Sequence, residues 1–210
     1  MLALLHTSPA HVETFDRLRD EEAPGLVLRP TVDEALLARA RAAGPASVKS
    51  DVEDALRAAR DSGATAVLCT CSTIGAVAEA ARVGVPVVRV DRPMAAAAVA
   101  TGSRIRILAA LAGTVDPTME LIAEEAAACG RAVTSSVTIV DGAWALFESG
   151  DREGYLATIA DVIAATTDAD VIVLAQASMA DAADLTTVDV PVLSSPRLGF
   201  RAAVRAAQTR

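Results

Sequence analysis

Residues 66–73 read Ala-Val-Leu-Cys-Thr-Cys-Ser-Thr, and residues 171–178 read Val-Ile-Val-Leu-Ala-Gln-Ala-Ser. Each stretch begins with a short apolar run, which is typical of a strand buried in a parallel sheet, and then changes to small and polar residues. Alanine-rich segments with helical spacing surround both stretches. Because buried strands alternate with helices, the sequence predicts an α/β fold.

The same signals continue along the whole chain. Apolar runs predict strands at residues 2–5, 26–30, 66–68, 85–90, 104–110, 132–140, 171–174 and 190–193. Helical spacing predicts helices at residues 10–22, 33–43, 49–62, 73–83, 93–100, 117–129, 143–149, 152–166, 179–185 and 199–208. Strands linked through helices in this way run parallel, with helices on the faces of the sheet.

The order of these elements occurs twice. The run that contains Leu68 matches the run that contains Leu174, with these two leucines opposite each other, and residues 84–88 match residues 189–193. The repeat predicts two pseudo-symmetric lobes, each a mainly parallel sheet flanked by helices, formed by residues 1–97 plus 199–210 and by residues 98–198. Because ligands bind at the carboxyl ends of parallel strands, we expect a cleft between the lobes.

Composition excludes several classes of function. The chain has 210 residues and a net charge of −8, with one lysine, which disfavours nucleic acid as a partner. No apolar run is long enough to span a bilayer, and no targeting signal is present, so we expect no membrane partner and a cytoplasmic location. No metal-ligand spacing or nucleotide-binding glycine loop is present, so we expect no metal ion and no bound nucleotide.

The most reactive group predicted by the sequence is the thiol of Cys71. It follows a predicted buried strand, and Ser72 and Thr73 favour the start of a helix there. A helix N-terminus favours the thiolate form of a cysteine, which can act as a nucleophile or a general base. A small buried structural residue is the competing interpretation. Cys69, two residues earlier, is the alternative reactive thiol, whereas Cys129 fits a structural role at a helix end.

Small hydroxyl groups and uncharged loops follow the predicted strands. Hydroxyls and backbone N–H groups at helix starts suit a carboxylate, so we expect a small carboxylate substrate. His6 and Asp116 are the titratable residues in these loops, with a structural histidine and a helix cap as their competing interpretations. The arginines near strand ends that could anchor a second carboxylate are Arg89, Arg92 and Arg197.

Three features together resemble the aspartate/glutamate/hydantoin racemase superfamily over essentially the whole chain. They are Cys71-Ser-Thr, the loop His6-Thr-Ser-Pro after the first strand, and Leu174-Ala-Gln-Ala-Ser-Met in the second half. The resemblance implies a cofactor-independent enzyme in which two cysteines, one from each lobe, flank the α-carbon of a carboxylate substrate. It implies that Cys71 is the first of these cysteines. The substrate-binding residues predicted from the resemblance and from loop position are Thr7, Ser8, Ser72, Thr73, Thr114 and Ser178.

The second cysteine is expected at Ala177, and a methyl group neither takes nor gives a proton. Four hypotheses follow. The protein is a racemase or isomerase in which His6, Asp116 or, more weakly, Ser178 serves the second face of the substrate. In the other three hypotheses, the protein is a one-cysteine decarboxylase, an isomerase or lyase that uses Cys71 covalently, or a non-catalytic sensor of small carboxylates. The resemblance is also compatible with a homodimer.

Overall fold

The computed structural model describes residues 1–209, which form two compact units. Unit 1 comprises Met1–Pro93 together with the C-terminal segment that begins at Pro196, and unit 2 comprises Met94–Ser195. Among residues 1–209, no helix combines the length and the apolar character that crossing a bilayer requires.

Strands and helices alternate along the chain. The strands are β1 (Leu2–His6), β2 (Leu28–Val32), β3 (Ala66–Cys69), β4 (Val87–Arg89), β5 (Arg104–Ala109), β6 (Thr134–Ile139), β7 (Val171–Leu174) and β8 (Val192–Ser194). The α-helices are α1 (Val12–Glu22), α2 (Glu34–Ala43), α3 (Lys49–Asp61), α4 (Ser72–Ala80), α5 (Arg92–Thr101), α6 (Val115–Ala128), α7 (Ala143–Ser149), α8 (Arg152–Ala165) and α9 (Ser195–Gln208). Short 3₁₀ helices cover Pro9–His11, Pro45–Val48, Ala112–Thr114 and Ala177–Leu185.

Each unit contains one four-stranded parallel sheet, which confirms the predicted α/β fold. The strand order is β2-β1-β3-β4 in unit 1 and β6-β5-β7-β8 in unit 2. The central strands β1, β3 and β7 are buried along their whole length, as their continuous apolar runs predict. The edge strand β2 is mostly exposed and contains Pro30, a residue that edge strands tolerate because one side needs no backbone donor.

Several predicted boundaries shift in the structure. The predicted strand at 26–30 is found two residues later, at Leu28–Val32, and the predicted helix at 179–185 is a 3₁₀ helix that begins at Ala177. Helix α9 begins at Ser195 rather than at residue 199. Proline breaks a helix only in its interior, so Pro196 is compatible with the first turn of α9.

Backbone hydrogen bonds align the two halves of the repeat. The N–H of Thr70, just after β3, donates to the carbonyl of Leu5 at 3.0 Å. In unit 2 the N–H of Ala175, just after β7, donates to the carbonyl of Leu108 at 2.9 Å. Thr70 and Ala175 are therefore equivalent, which makes Gln176 the counterpart of Cys71.

The predicted pairing of Leu68 with Leu174 is consequently wrong by one residue. Val67 and Ile172 are equivalent, since each donates its N–H to the carbonyl of a proline, Pro86 or Pro191, at 2.9 Å. This places Leu174 opposite the last residue of β3 rather than opposite Leu68. The prediction matched leucine side chains, whereas backbone hydrogen bonds determine strand register.

Candidate functional site

Cys71 lies at the carboxyl edge of the unit 1 sheet. Strand β3 ends two residues earlier, between β1 and β4, and Cys71 is the N-cap residue of helix α4. Its φ and ψ of −111° and 116° are extended, and its side chain makes no capping hydrogen bond. The first turn of any helix has N–H groups without intrahelical partners. The thiol of Cys71 therefore occupies a helix N-terminus that its own side chain does not cap.

The two neighbouring thiols have different environments. Cys69 is fully buried, its Sγ donates to the carbonyl of Cys71 at 3.7 Å, and burial raises the pKa of the Cys69 thiol strongly. Cys71 retains 9% of its accessible surface. Because reactivity requires the thiolate and access to it, this geometry favours Cys71 over Cys69. Cys129 is exposed and is the C-cap residue of α6.

Hydroxyl groups surround the same sheet edge in unit 1. Ser72 and Thr73 open helix α4 and are partly exposed, and Thr7 and Ser8 follow β1. Thr7 is buried, whereas the Ser8 hydroxyl accepts a hydrogen bond from the N–H of Ala10 at 3.4 Å at the start of a 3₁₀ helix. The structure thus brings four predicted binding residues to strand ends of one sheet.

His6 is held inside unit 1 and is not exposed at its surface. Its ring is fully buried, with Nδ1 2.8 Å from the hydroxyl of Thr70 and the ring centroid 5.6 Å from that of Phe15. Burial lowers the pKa of His6 to about 4, so the ring is neutral near pH 7. These contacts favour the structural interpretation of His6 over a role as a second acid or base.

The three arginines considered as anchors are all paired within unit 1. Arg89 is buried and makes a two-point contact with the carboxylate of Asp91, at 2.6 and 2.9 Å. Arg92 binds Glu79 at 2.6 Å. Arg197 binds two neighbouring glutamates of α1, Glu21 at 2.7 Å and Glu22. A guanidinium already neutralised by carboxylates is a poor anchor for a further one, so none of the three is supported in that role.

In unit 2 the predicted residues are also hydrogen-bonded. Thr114 is the N-cap residue of α6, and its hydroxyl donates to the carbonyl of Leu111 at 2.8 Å. Asp116 lies one residue inside α6, so the interpretation of Asp116 as its cap is wrong. The hydroxyl of Ser178 shares a hydrogen bond of 2.8 Å with the phenol of Tyr155, whose pKa burial raises to about 12.

Sequence reasoning missed three polar residues of these sheet edges: Thr70, Asp91 and Gln176. Gln176 belongs to the motif Leu174-Ala-Gln-Ala-Ser-Met, but the motif alone does not indicate that Gln176 is equivalent to Cys71. Thr70 and Asp91 each hydrogen-bond a residue singled out above, His6 and Arg89. All three are polar residues one or two positions after the end of a strand, and this position is the signal that identifies them. Within the described 209 residues, no group of three or more His, Cys, Asp or Glu side chains is arranged to hold a metal ion.

Comparison with known proteins agrees with this architecture. The sequence matches the family model described as Asp/Glu/Hydantoin racemase over residues 7–203. No curated protein sequence gives a significant match. The two four-stranded parallel sheets with their flanking helices define an α/β protein of the racemase type. The chain belongs to the Asp/Glu/hydantoin racemase family.

Solved structures show the same fold at low sequence identity. The aspartate racemase of Picrophilus torridus superposes with a TM-score of 0.76 and 15% identity, covering 100% of this chain and 94% of its own. The allantoin racemase of Klebsiella pneumoniae gives 0.68 and 20% identity, covering 97% and 86%. An arylmalonate decarboxylase gives 0.60 and 19% identity, covering 99% and 92%. The shared fold therefore accommodates more than one named reaction.

Proposed function

We propose that this protein is a cofactor-independent isomerase-type enzyme that moves a proton at the carbon next to the carboxylate of a small acid. The thiol of Cys71 is the acid and base in this proposal. The observation that carries it is the position of Cys71 at the N-terminus of α4, where its side chain makes no capping bond.

The first turn of α4 suits both a thiolate and a carboxylate. Its N–H groups and the helix dipole favour negative charge, by about 0.3–1 kcal/mol per charged group at an exposed helix end. The hydroxyls of Ser72 and Thr73, partly exposed on this turn, add donors. Helices α2 and α8, by contrast, begin with a capping aspartate, Asp33 or Asp151, whose carboxylate already accepts a backbone N–H of the first turn.

The reaction needs one proton transfer in each direction. The Cys71 thiolate takes the proton from the α-carbon, and the electron pair of the broken C–H bond delocalises onto the carboxylate oxygens. Donors at the start of α4 stabilise the charge that develops there. Inversion needs a proton from water on the opposite face of the carbon, and the hydroxide left behind takes the proton held by Cys71. Return of the proton from Cys71 to the same face restores the starting acid.

A second function, decarboxylation, is favoured by the residue equivalent to Cys71. In unit 2 that position is Gln176, and a carboxamide is neither a general acid nor a general base near neutral pH. Decarboxylation of a substituted malonate breaks a carbon–carbon bond, releases carbon dioxide and leaves its electron pair on the α-carbon. The Cys71 S–H then protonates that carbon, so a single thiol is sufficient.

The test follows both reactions in deuterated buffer. The protein is incubated with each enantiomer of aspartate and glutamate and with phenylmalonate, and α-deuterium, chirality and carbon dioxide are measured. Deuterium incorporation with loss of chirality supports isomerisation, and carbon dioxide release supports decarboxylation. Cys71→Ser should reduce either activity by at least about 100-fold, since general acid–base catalysis contributes factors of this size.

Cys129→Ser is the matched control, because it removes an exposed thiol at the end of α6. It should leave the rate within about twofold of the parent. Full activity in the Cys71→Ser variant overturns the role of the thiol. Calorimetric binding of these acids with neither reaction overturns the enzymatic proposal and identifies a non-catalytic carboxylate sensor.

A further inference from the structure

The carboxamide of Gln176 has one bonded end and one end without a partner. Its Oε1 accepts the N–H of Ala110 at 2.9 Å. Its Nε2 is buried and has no hydrogen-bond partner. A backbone N–H only donates, so the atom facing Ala110 must be the oxygen. The orientation of the amide is thereby fixed, and the NH₂ group points away from Ala110.

Such an arrangement is unusual in a folded protein. Buried polar side-chain atoms nearly always have a partner, and one without a partner in a native structure needs an explanation. Gln176 is also the N-cap residue of the 3₁₀ helix Ala177–Leu185, yet its side chain makes no capping bond there. The amide is thus tied to the loop after β5 instead, which holds its nitrogen in one place.

The residues that neighbour Gln176 and its partner Ala110 in the sequence are uncharged. Gln176 lies between Ala175 and Ala177, and Ala110 is followed by Leu111. A hydrogen bond formed where water is excluded is stronger than the same bond in water. An NH₂ group with fixed orientation, no partner and no charged neighbour in sequence is suited to bind an oxygen atom that only accepts.

We propose that Nε2 of Gln176 donates a hydrogen bond to a carboxylate oxygen of a bound small acid. The choice of a small acid rests on the function proposed above, whereas the presence of an oxygen-binding donor rests on the amide geometry alone. Gln176 is in this view a binding residue. Unit 2 therefore uses the position equivalent to Cys71 for recognition, because its amide transfers no proton.

Because the chain has few carboxamide side chains, NMR spectroscopy can test this proposal directly. The sequence contains two glutamines, Gln176 and Gln208, and no asparagine. A ¹⁵N–¹H correlation spectrum therefore contains two pairs of side-chain carboxamide signals, and Gln176→Glu identifies one of them by its loss. Glutamate keeps an oxygen for the N–H of Ala110 and replaces only the NH₂ group. Gln208→Glu, at the exposed end of α9, introduces the same charge and is the matched control.

The labelled protein is titrated with malonate and with both enantiomers of aspartate, at ionic strength held constant with sodium chloride. We expect at least one acid to shift the Gln176 pair in a saturable manner while the Gln208 pair stays in place. The dissociation constant of that acid should rise at least tenfold in Gln176→Glu and stay within twofold in Gln208→Glu. No shift with any of the three acids, or unchanged affinity in Gln176→Glu, overturns the inference.

The same titration separates this inference from the proposed function. In Cys71→Ser the Gln176 signals should still shift, although turnover is lost. A saturable shift in a protein that turns over no acid leaves the role of Gln176 intact and refutes the enzymatic proposal. If turnover depends on Cys71 but the acid consumed does not shift the Gln176 signals, the role of Gln176 is refuted and the enzymatic proposal is not.

Discussion

The ring nitrogen Nδ1 of His6 lies 2.8 Å from the hydroxyl oxygen of Thr70, the residue that immediately precedes Cys71. The same hydroxyl donates its proton to the carbonyl of Leu5 at 3.2 Å. Nδ1 must therefore carry the proton in this contact, which leaves Nε2 of the neutral ring without one. Nε2 is buried and has no partner. The contact links the end of β1 to the segment that carries the thiol.

This environment predicts that the protein loses stability in mild acid. Burial and, to a smaller extent, the nearby charge of His11 together lower the pKa of His6 to about 4. Between about pH 6.5 and 4 the unfolded chain therefore binds a proton that the folded chain does not, so stability falls as the pH falls. From pH 7 to pH 5 the contribution of His6 amounts to about 2 kcal/mol of unfolding free energy.

Urea unfolding at pH 7, 6 and 5 measures this loss, and His6→Gln should flatten the dependence. Because the chain has two histidines, their ring C–H signals are also resolved in a proton spectrum and assigned with His11→Gln. Between pH 8 and pH 5 the His6 signal should move by no more than about a tenth of its full titration shift. A midpoint near 6.5 for that signal would contradict the interpretation of His6 as a buried neutral ring.

The buried ion pair of Arg89 and Asp91 should be far more important to stability than exposed pairs. Both side chains are almost fully buried, and Gly75 of α4 packs directly against Arg89, since a Cβ on Gly75 would lie 3.1 Å from Nε. Asp91→Asn leaves a buried guanidinium without its counter-charge, which costs about 3–5 kcal/mol. Denaturant unfolding of the variant gives this value directly.

The matched control is Asp54→Asn, because Asp54 pairs with Arg57 on the exposed side of α3 at 2.7 Å. Exposed pairs contribute about 0–1 kcal/mol, so this variant should be nearly as stable as the parent. Replacing both buried partners by apolar residues, as Arg89→Met with Asp91→Leu, should recover most of the loss. Equal stability of Asp91→Asn and Asp54→Asn would show that the buried pair is not important.

Close packing of α9 predicts that Gly199→Ala is destabilising. A Cβ at this position would lie 2.4 Å from the carbonyl oxygen of Val90 and 2.9 Å from its Cα. Alanine favours helix by about 1 kcal/mol over glycine, but backbone atoms cannot move aside cheaply. We expect a net loss of about 2 kcal/mol in denaturant unfolding. Gly113→Ala, which meets no atom within 4 Å, should change stability by less than about 0.5 kcal/mol.

The sequence predicted most of the fold because local signals and tertiary structure agree in the central strands. Strand β7 and helix α7 have the predicted limits, since their apolar runs end at clear changes in composition. Edge strands agree less well, because an exposed strand such as β2 carries little hydrophobic pattern. The position of Cys71 at the start of α4 was also predicted, from the serine and threonine that follow it.

Partners distant in sequence could not be predicted in the same way. Arg197 binds glutamates more than 170 positions earlier in the chain, and no local pattern encodes that contact. The bond between Gln176 and Ala110 likewise depends on β5 and β7 being neighbours in the sheet. Side-chain identity alone misaligned the repeat by one residue, and only the backbone hydrogen bonds of the sheet corrected it.

The corrected register gives a final prediction that discriminates between two adjacent residues. The family resemblance implies one cysteine in each half of the repeat, and the hydrogen bonds make Gln176, not Ala177, the counterpart of Cys71. If the two positions flank one substrate, as the resemblance implies, Gln176→Cys should add loss of chirality to whatever reaction the parent protein performs on aspartate or glutamate, whereas Ala177→Cys should add none. Chiral chromatography after incubation in deuterated buffer measures both variants. Because both substitutions introduce one thiol into neighbouring positions, racemisation in Ala177→Cys alone would refute the register and restore the original alignment.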